Sequence, residues 1–106
     1  MTITKEKKME IETPTIGEIL VDEFMEPFGI SAYRLAKDID VPVSRIQDII
    51  KGRRRISADT SIRLGTYFGV SEKFFLDMQN DIDIRELKKK KGLFENVKVL
   101  SKVAMF

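Results

Sequence analysis

The stretch 31–55, SAYRLAKDIDVPVSRIQDIIKGRRR, holds two short segments whose apolar residues recur at helical spacing. The first segment predicts a helix over Ala32–Ile39, and Ser31 can accept hydrogen bonds from the free N–H groups of its first turn. Pro42, which has no N–H to lose, favours the first turn of a second helix, and Gly52 is expected to end it. The expected inward residues are Leu35, Ala36 and Ile39 in the first helix and Ile46, Ile49 and Ile50 in the second.

The connection between these two helices is short. Asp40 and Val41 leave room only for a tight turn, so the helices must cross steeply, and the small Ala36 suits the point where they approach. Two helices joined in this way form a helix-turn-helix, whose second helix can enter the major groove of DNA. The stretch therefore predicts a DNA-binding unit.

The second helix of this unit has an outward face that can contact bases. Gln47 can bond bidentately to adenine, and Val43 can touch a thymine methyl group. Arg45, on the flank of this face, can reach guanine or a phosphate. The basic run that follows the helix can contact phosphates and so position the helix. The expected DNA-binding residues are Val43, Ser44, Arg45, Gln47, Lys51, Arg53, Arg54, Arg55 and, on the preceding helix, Arg34.

The same residues also fit an interpretation without DNA binding, namely an amphipathic core helix followed by a solvated charged loop. Periodicity alone does not separate these two interpretations. DNA binding is favoured by a coincidence of four features, namely the small residue at the crossing, the tight turn, the polar face of the second helix and the basic loop behind it.

A first helix is predicted before this unit. Apolar residues recur every four positions from Ile16 to Phe24, which predicts a helix over about 16–26. The charge of this region differs from that of the helix-turn-helix: residues 9–27 contain six acids and no base, whereas residues 34–55 contain seven bases and three acids. The domain is therefore expected to present two surfaces of opposite charge.

Two more helices are predicted after the unit. Ser57 and Gly69 are the expected ends of a helix over Ala58–Phe68, and Ser71 is the expected cap of a fifth helix that begins at Glu72. We therefore expect an all-α, five-helix domain. The expected packing residues are Ile62, Leu64, Tyr67 and Phe68 in the fourth helix, and Phe74, Phe75, Leu76 or Met78 in the fifth.

Composition limits the possible classes of function. The chain has 106 residues, which suits one folded unit, and 42% of them are hydrophobic. It contains no cysteine and no histidine, so the usual nucleophiles, general bases and transition-metal ligands are missing. We expect no enzyme, metal site or cofactor. No apolar run is long enough to cross a bilayer, and we expect a cytoplasmic protein without a membrane partner.

Both ends of the chain lie outside the helical pattern. Residues 1–13 are polar and charged and are expected to form a flexible arm, followed by a DNA-binding domain over 14–86. The tail, 87–106, contains four consecutive lysines, and its apolar residues fit both helical spacing and strand alternation. The secondary structure of the tail stays open.

The segment 17–84 resembles the HigA-type antitoxins of the Xre, or phage-repressor-like, helix-turn-helix family. The motifs that carry this resemblance are GEIL (17–20), GIS (29–31), VPVSRI (41–46), GRRRISADT (52–60), RLGTYFGVS (63–71) and FFLDMQ (74–79). The resemblance implies a lambda-repressor-like fold and a homodimer that binds a palindromic operator in its own promoter. It also implies that the protein neutralises a toxin, a RelE/HigB-like mRNA endonuclease.

Two positions depart from the family pattern. The residue before the turn valine is usually glycine and here is Asp40, which requires a left-handed backbone conformation or a different turn. A tryptophan that is common in the fifth helix is replaced by Phe75, which should keep the packing. Nothing is implied for the arm or the tail, since the resemblance does not reach them.

Two further surfaces are expected for protein partners. The dimer is expected to use the fifth helix, although the same residues would alternatively complete the core. The acidic first helix can meet a basic RNA-cutting toxin through charge complementarity, the alternative being a solvated helix face. The residues concerned are Phe74, Phe75, Leu76, Met78 and Ile82 for the dimer, and Asp22, Glu23 and Glu26 for the HigB-like toxin.

Other functions fit the sequence less well. A stand-alone Xre-type repressor without a toxin partner has the same DNA-binding features, and a small basic reading frame beside the gene would favour the antitoxin. A protein-interaction adaptor that has lost DNA binding is favoured only by Asp40 and Asp48, whose charges lie near the expected groove. An enzyme is the weakest hypothesis because no residue set can be nominated for catalysis.

Overall fold

A computed structural model of the chain describes residues 13–100, so the predicted arm apart from Thr13 and the last six residues of the tail lie outside it. These residues form five helices joined by short loops, without a strand among them, which confirms the all-α, five-helix prediction. The helices are α1 (residues 16–28), α2 (Ala32–Ile39), α3 (Val43–Ile50), α4 (Ala58–Phe68) and α5 (Phe74–Lys88). Within this range no helix has the length and apolar content needed to span a bilayer.

Helix α1 changes its winding along its length, which the regular spacing of its apolar residues does not predict. It consists of an α-helical turn (Ile16–Ile19), a π-helical stretch (Leu20–Met25) and a 3-10 turn (Glu26–Phe28). Its start is a capping box, in which the backbone N–H of Glu18 donates to the Thr15 hydroxyl and that of Thr15 donates to the Glu18 carboxylate, both at 3.0 Å. The helix therefore begins at a well-defined residue.

Helices α2 and α3 form the predicted helix-turn-helix. Ser31 caps α2 by accepting a hydrogen bond from a first-turn N–H at 3.0 Å. Asp40 ends the helix in the left-handed conformation, with φ 60°. This is the first of the two alternatives expected for an aspartate at the position where the family usually has glycine. The N–H of Val41 then donates to the carbonyl of Ala36 at 3.0 Å and closes the turn. Pro42 is the N-cap of α3, one residue earlier than its predicted place in the first turn.

Side chains from all five helices and from the loop before α4 meet in one core. Its buried apolar members are Leu20, Met25, Leu35, Ala36, Ile39, Ile46, Ile49, Ile56, Leu64 and Phe75. The prediction for α4 was wrong for Ile62, whose side chain is 48% exposed. The buried face of α4 passes through Ser61, Leu64 and Gly65, and Ile62 lies to one side of that face.

Helix α5 begins later than predicted. Its N-cap is Lys73, which provides no side-chain hydrogen bond, and the Ser71 hydroxyl instead accepts from the N–H of Lys73 at 3.1 Å. Ser71 therefore stabilises the preceding turn, and its predicted capping role was wrong. The first turn of α5 receives its acceptor from another helix, because the N–H of Leu76 donates to the Ser61 hydroxyl at 3.1 Å.

Two glycines allow close approach between backbones. A Cβ atom at Gly17 would lie 2.6 Å from the carbonyl oxygen of Ile50, so α1 lies directly against the end of α3. A Cβ atom at Gly65 would lie 2.6 Å from the carbonyl oxygen of Ser71, so α4 lies against the loop before α5. Alanine at either position would force backbone atoms apart.

The part of the tail that the structure describes is neither a helix nor a strand beyond α5. Helix α5 continues to Lys88, past the predicted domain end at residue 86, and residues 89–100 form turns and irregular backbone. The large apolar side chains of this segment are exposed, namely Leu93, Phe94, Val97, Val99 and Leu100.

Candidate nucleic-acid interface

The outward face of α3 is polar and open to solvent at its centre. Ser44 and Gln47 are exposed, whereas Val43 is half-buried and packs partly against the core. Val43 therefore offers less surface to a thymine methyl group than the helical spacing suggests. The contact of these three residues with bases stays a prediction.

Arg45 lies on the flank of α3 and is held by the next helix. Its Nη1 donates to the carboxylate of Asp59 at 3.1 Å and lies 3.5 Å from the hydroxyl of Thr60. The side chain is only 25% exposed, and its buried Nε has no hydrogen-bond partner among the described residues. In the free protein, then, Arg45 is directed at α4 and not at solvent.

The same carboxylate connects α3 to the turn of the helix-turn-helix. Arg63 donates from Nε to Asp59 at 2.9 Å and from Nη1 to the carbonyl oxygen of Ile39 at 2.8 Å. Hydrogen bonds from Arg63 and then Arg45 hold the pKa of Asp59 below its ordinary value, so it remains charged. Sequence reasoning assigned no role to Asp59 or Arg63, although their spacing of four on one helix is typical of an ion pair.

The basic loop, residues 51–55, is exposed throughout. Arg53 pairs with Asp48 at 3.3 Å, and Arg55 pairs with Asp83 of α5 at 2.6 Å. Lys51 and Arg54 form no ion pair within residues 13–100. The loop thus presents two directed arginines and two further cations to solvent.

Helix α5 fixes the backbone at the end of this loop. The Ile56 N–H donates to Oε1 of Gln79 at 2.7 Å, and Nε2 of Gln79 donates to the Ile56 carbonyl at 2.9 Å. Gln79 is 3% exposed, so this pair of bonds is shielded from water. The signal in the sequence was a polar residue four positions after Phe75, on the buried face of α5, and sequence reasoning missed it.

The chain matches the family model described as Helix-turn-helix (HTH_3) over residues 21–75, which is the region from α1 to the start of α5. The chain belongs to this helix-turn-helix family. Virulence-associated protein I of Dichelobacter nodosus is 45% identical over 76 residues, 70% of each chain. Antitoxin HigA-1 of Vibrio cholerae is 30% identical over 78 residues, 74% of this chain and 73% of the other.

A solved structure points to the same branch of the family. The structure of Pseudomonas aeruginosa antitoxin HigA with the higBA promoter is 34% identical, with a TM-score of 0.70, and covers 82% of this chain and all of the other. The chain is thus a HigA-type member of the Xre helix-turn-helix family, as its motifs predicted. The family is one of DNA-binding regulators and not of enzymes.

In this HigA-type protein Arg34 projects from α2 beside a carboxylate. The Asp38 carboxylate accepts from the Tyr67 hydroxyl at 2.6 Å and from Nε of Arg34 at 2.9 Å. These two bonds, the tyrosine bond first, lower the pKa of Asp38, and the bond to Asp38 raises the pKa of Tyr67. Arg34 is therefore oriented while most of its side chain stays exposed.

The acidic residues predicted for a toxin, Asp22, Glu23 and Glu26, are all exposed on α1. Two positions after Glu26, Phe28 is 70% exposed. A groove of about 330 Å³ opens beside it, lined by Phe28, Ile30, Arg34, Tyr67 and Phe68. The acidic face is thus continuous in sequence with an aromatic surface.

The expected dimer surface on α5 is corrected in part. Phe75 is fully buried, and its ring centroid lies 4.9 Å from that of Phe24, while Phe74 is half-buried 5.8 Å from the same ring. Phe75 cannot lie at a surface because it completes the core, and Phe74 packs against that core. Leu76, Met78 and Ile82 are half-buried, and the exposed apolar residues of α5 are Ile84 and Leu87.

Proposed function

We propose that two copies of this HigA-type regulator bind a pseudo-palindromic operator in the promoter of their own gene and repress it. Each copy places α3 in the major groove, with the two helices about 34 Å apart. The observation that carries the proposal is the exposed polar face of α3 followed by a basic loop whose backbone Gln79 holds in place. The structure of Pseudomonas aeruginosa antitoxin HigA with the higBA promoter supports promoter binding by similarity.

The residues divide into two roles in this proposal. Gln47 and Ser44 read base edges, and Val43 contacts a thymine methyl group with the part of its side chain that is open. The cations of the basic loop and Arg34 contact phosphates and set the position of the helix. Arg45 contacts DNA when its guanidinium exchanges Asp59 for a base or a phosphate.

Fluorescence anisotropy with the full chain tests the proposal. The labelled duplexes are the DNA upstream of its own gene and a scrambled duplex, each at two salt concentrations. We expect tighter binding to the promoter and weaker binding to both duplexes at high salt. Equal affinity for the two duplexes would overturn the proposal.

Two variants test the placement of α3. We expect Gln47→Ala to cost about 1–3 kcal/mol and to relax discrimination at one base pair of the operator. Asn80→Ala, an exposed amide on α5, is the matched control and should bind as the parent does. If Gln47→Ala binds the operator as tightly as the parent, α3 does not read the bases in this way.

We further propose that the protein binds and neutralises a RelE/HigB-like mRNA endonuclease through the acidic face of α1. A protein that cuts RNA carries positive charge, which complements Asp22, Glu23 and Glu26. The exposed ring of Phe28 and the groove beside it provide the kind of aromatic contact that dominates the binding energy of many interfaces. The similarity to proteins named antitoxins supports a partner of this class.

Isothermal titration against the product of the neighbouring small basic reading frame tests the toxin proposal. We expect the triple variant Asp22→Lys, Glu23→Lys, Glu26→Lys to lose at least about tenfold in affinity, which corresponds to about 1.4 kcal/mol. The control reverses three exposed acids elsewhere, Glu72, Asp77 and Asp81. Equal loss of affinity in the two triple variants would exclude the acidic face of α1 as the toxin-binding surface. No binding by the parent protein would favour a repressor without a toxin partner.

A further inference from the structure

Helix α5 runs beside the basic loop that follows α3. Gln79 binds the backbone of Ile56, and one turn later Asp83 pairs with Arg55 at 2.6 Å. Two successive turns of α5 are therefore attached to the segment that is expected to contact phosphates. Whatever α5 carries at its C-terminal end lies close to that segment.

A run of four lysines stands at that end, and all four are exposed. Lys88, the last residue of α5, follows Asp83 by five positions, which places it about 7.5 Å further along the helix axis. Nζ of Lys89 lies 3.0 Å from both the carboxylate of Glu86 and the hydroxyl of Thr13. These bonds hold the run beside the start of α1.

A cavity of about 260 Å³ connects the same three parts of the molecule. The start of α1 contributes Thr15 to its wall, the basic loop contributes Arg54, and α5 contributes Glu86, the partner of Lys89. The basic loop and the turn of α5 that precedes the lysine run thus line one cavity, and Lys89 is bonded to its wall through Glu86.

We propose that the lysine run, Lys88–Lys91, is a second DNA-contacting element, which binds backbone phosphates beside those bound by the basic loop. This inference rests on the proposed operator binding. Duplex DNA carries one negative charge per about 1.7 Å of its axis, so it can engage a surface wider than a single loop. Together the two segments present eight exposed cations, four from each, against the carboxylates of Asp48, Asp83 and Glu86.

Contacts with phosphates carry no sequence information, so the lysine run adds affinity and not specificity. An anionic membrane surface is the other polyanion that a lysine run can bind. DNA is favoured here because α5 is bonded to the end of the loop that follows α3, which places the lysine run near the residues proposed to bind phosphates.

The test uses the full chain with all four lysines changed to glutamine, Lys88→Gln to Lys91→Gln. We expect its affinity for the promoter and for scrambled DNA to fall by the same factor. The slope of log affinity against log salt should fall by about 0.9 for each phosphate that the variant no longer binds. The corresponding arginine variant should keep the parent slope. Lys73→Gln, an exposed lysine at the start of α5, should keep it as well.

The outcomes separate the two proposals. An unchanged slope in the glutamine variant, with the parent still selecting its promoter, would overturn the role of the lysine run and leave the operator proposal intact. A parent that does not select its promoter would overturn operator binding itself. Unchanged DNA binding together with a loss of binding to vesicles of anionic lipid would assign the lysines to a membrane surface and overturn the present proposal.

Discussion

At the scale of single residues, the carboxylate of Asp59 links the flank of α3 to the turn before it. It binds Arg45 at 3.1 Å and Arg63 at 2.9 Å, and Arg63 in turn binds the carbonyl of Ile39. Exposed ion pairs contribute only about 0–1 kcal/mol to stability. The main effect of Asp59 is therefore to set the direction of two arginines.

Asp59→Asn should lower the specificity of DNA binding. The substitution adds one unit of net positive charge and releases Arg45, so the affinity for scrambled DNA should rise more than that for the operator. We expect the ratio of the two affinities to fall about fivefold, which corresponds to about 1 kcal/mol. Anisotropy titrations with both duplexes measure this ratio, and Asp77→Asn, an exposed acid on α5, is the control. An unchanged ratio would show that Asp59 does not direct Arg45.

Tyr67→Phe should raise the pKa of Asp38. The pKa of Asp38 is lowered in the folded state, first by the hydrogen bond from the Tyr67 hydroxyl. The ionised Asp38 therefore contributes stability at pH values above its unfolded-state pKa. That contribution is lost as the pH falls through the folded-state value. The variant should be less stable than the parent at neutral pH, and the difference should vanish at acid pH, where Asp38 is protonated in both proteins.

Carbon-detected NMR titration of the Asp38 carboxyl measures this pKa directly, and thermal melts at several pH values follow its effect on stability. Tyr33→Phe is the matched control, because Tyr33 is exposed on the same helix as Asp38. A titration curve for Asp38 that is the same in Tyr67→Phe and the parent would contradict the assignment.

At the scale of elements, α5 holds the loop between α3 and α4 through the side chain of Gln79. Gln79→Leu keeps a buried side chain but leaves the Ile56 N–H and carbonyl without their partners. A buried unsatisfied group costs about 1–3 kcal/mol, so we expect the free energy of unfolding to fall by about 2 kcal/mol or more. Chemical denaturation measures the change, with Asn80→Leu, an exposed neighbour, as the control.

Hydrogen exchange measures the local effect of Gln79→Leu on the Ile56 amide. The Ile56 amide should exchange faster in Gln79→Leu by more than the global loss of stability explains, because its acceptor has been removed. Protection of Ile56 equal to that in the parent would show that another group holds the loop.

The elements also show what a single sequence can and cannot predict. The bounds of α2 and α4 were predicted correctly, because Ser31 and Ser57 form their capping bonds within the next three residues. The start of α5 was not, since its acceptor is Ser61 of another helix. Local spacing identifies buried faces and caps, but it carries no information about which elements meet.

The same limit applies to the candidate site. The exposed residues of α3 and the basic loop could be predicted, because helical spacing determines which residues face outward. The roles of Gln79 and Gly17 could not, because each depends on a partner in another element. Arg45 was predicted as a flank residue, but nothing local indicated that Asp59 would hold it.

At the scale of the whole molecule, the exposed apolar part of α5 bears on the proposed dimer. Ile84 and Leu87 lie three positions apart on one helix face and are 52% and 42% exposed. We expect Leu87→Glu to shift the protein from dimer to monomer and to weaken operator binding, since a monomer occupies only one half-site. Sedimentation velocity measures the first effect.

Ile62→Glu is the control for this experiment, because Ile62 is similarly exposed but lies on α4. It should leave the sedimentation coefficient unchanged. If both variants remain dimers, this face of α5 is not the subunit interface.

Four arginines predicted to meet DNA, Arg34, Arg45, Arg53 and Arg55, are each bonded to a carboxylate within the free protein. Immobilising a long side chain on binding costs about 0.5–1.5 kcal/mol in conformational entropy. Side chains that are already confined lose less of it, so this part of the cost is reduced before DNA arrives. In the proposed complex, association exchanges one anionic partner for another around these guanidinium groups, and its affinity depends more on that exchange than on the ordering of side chains.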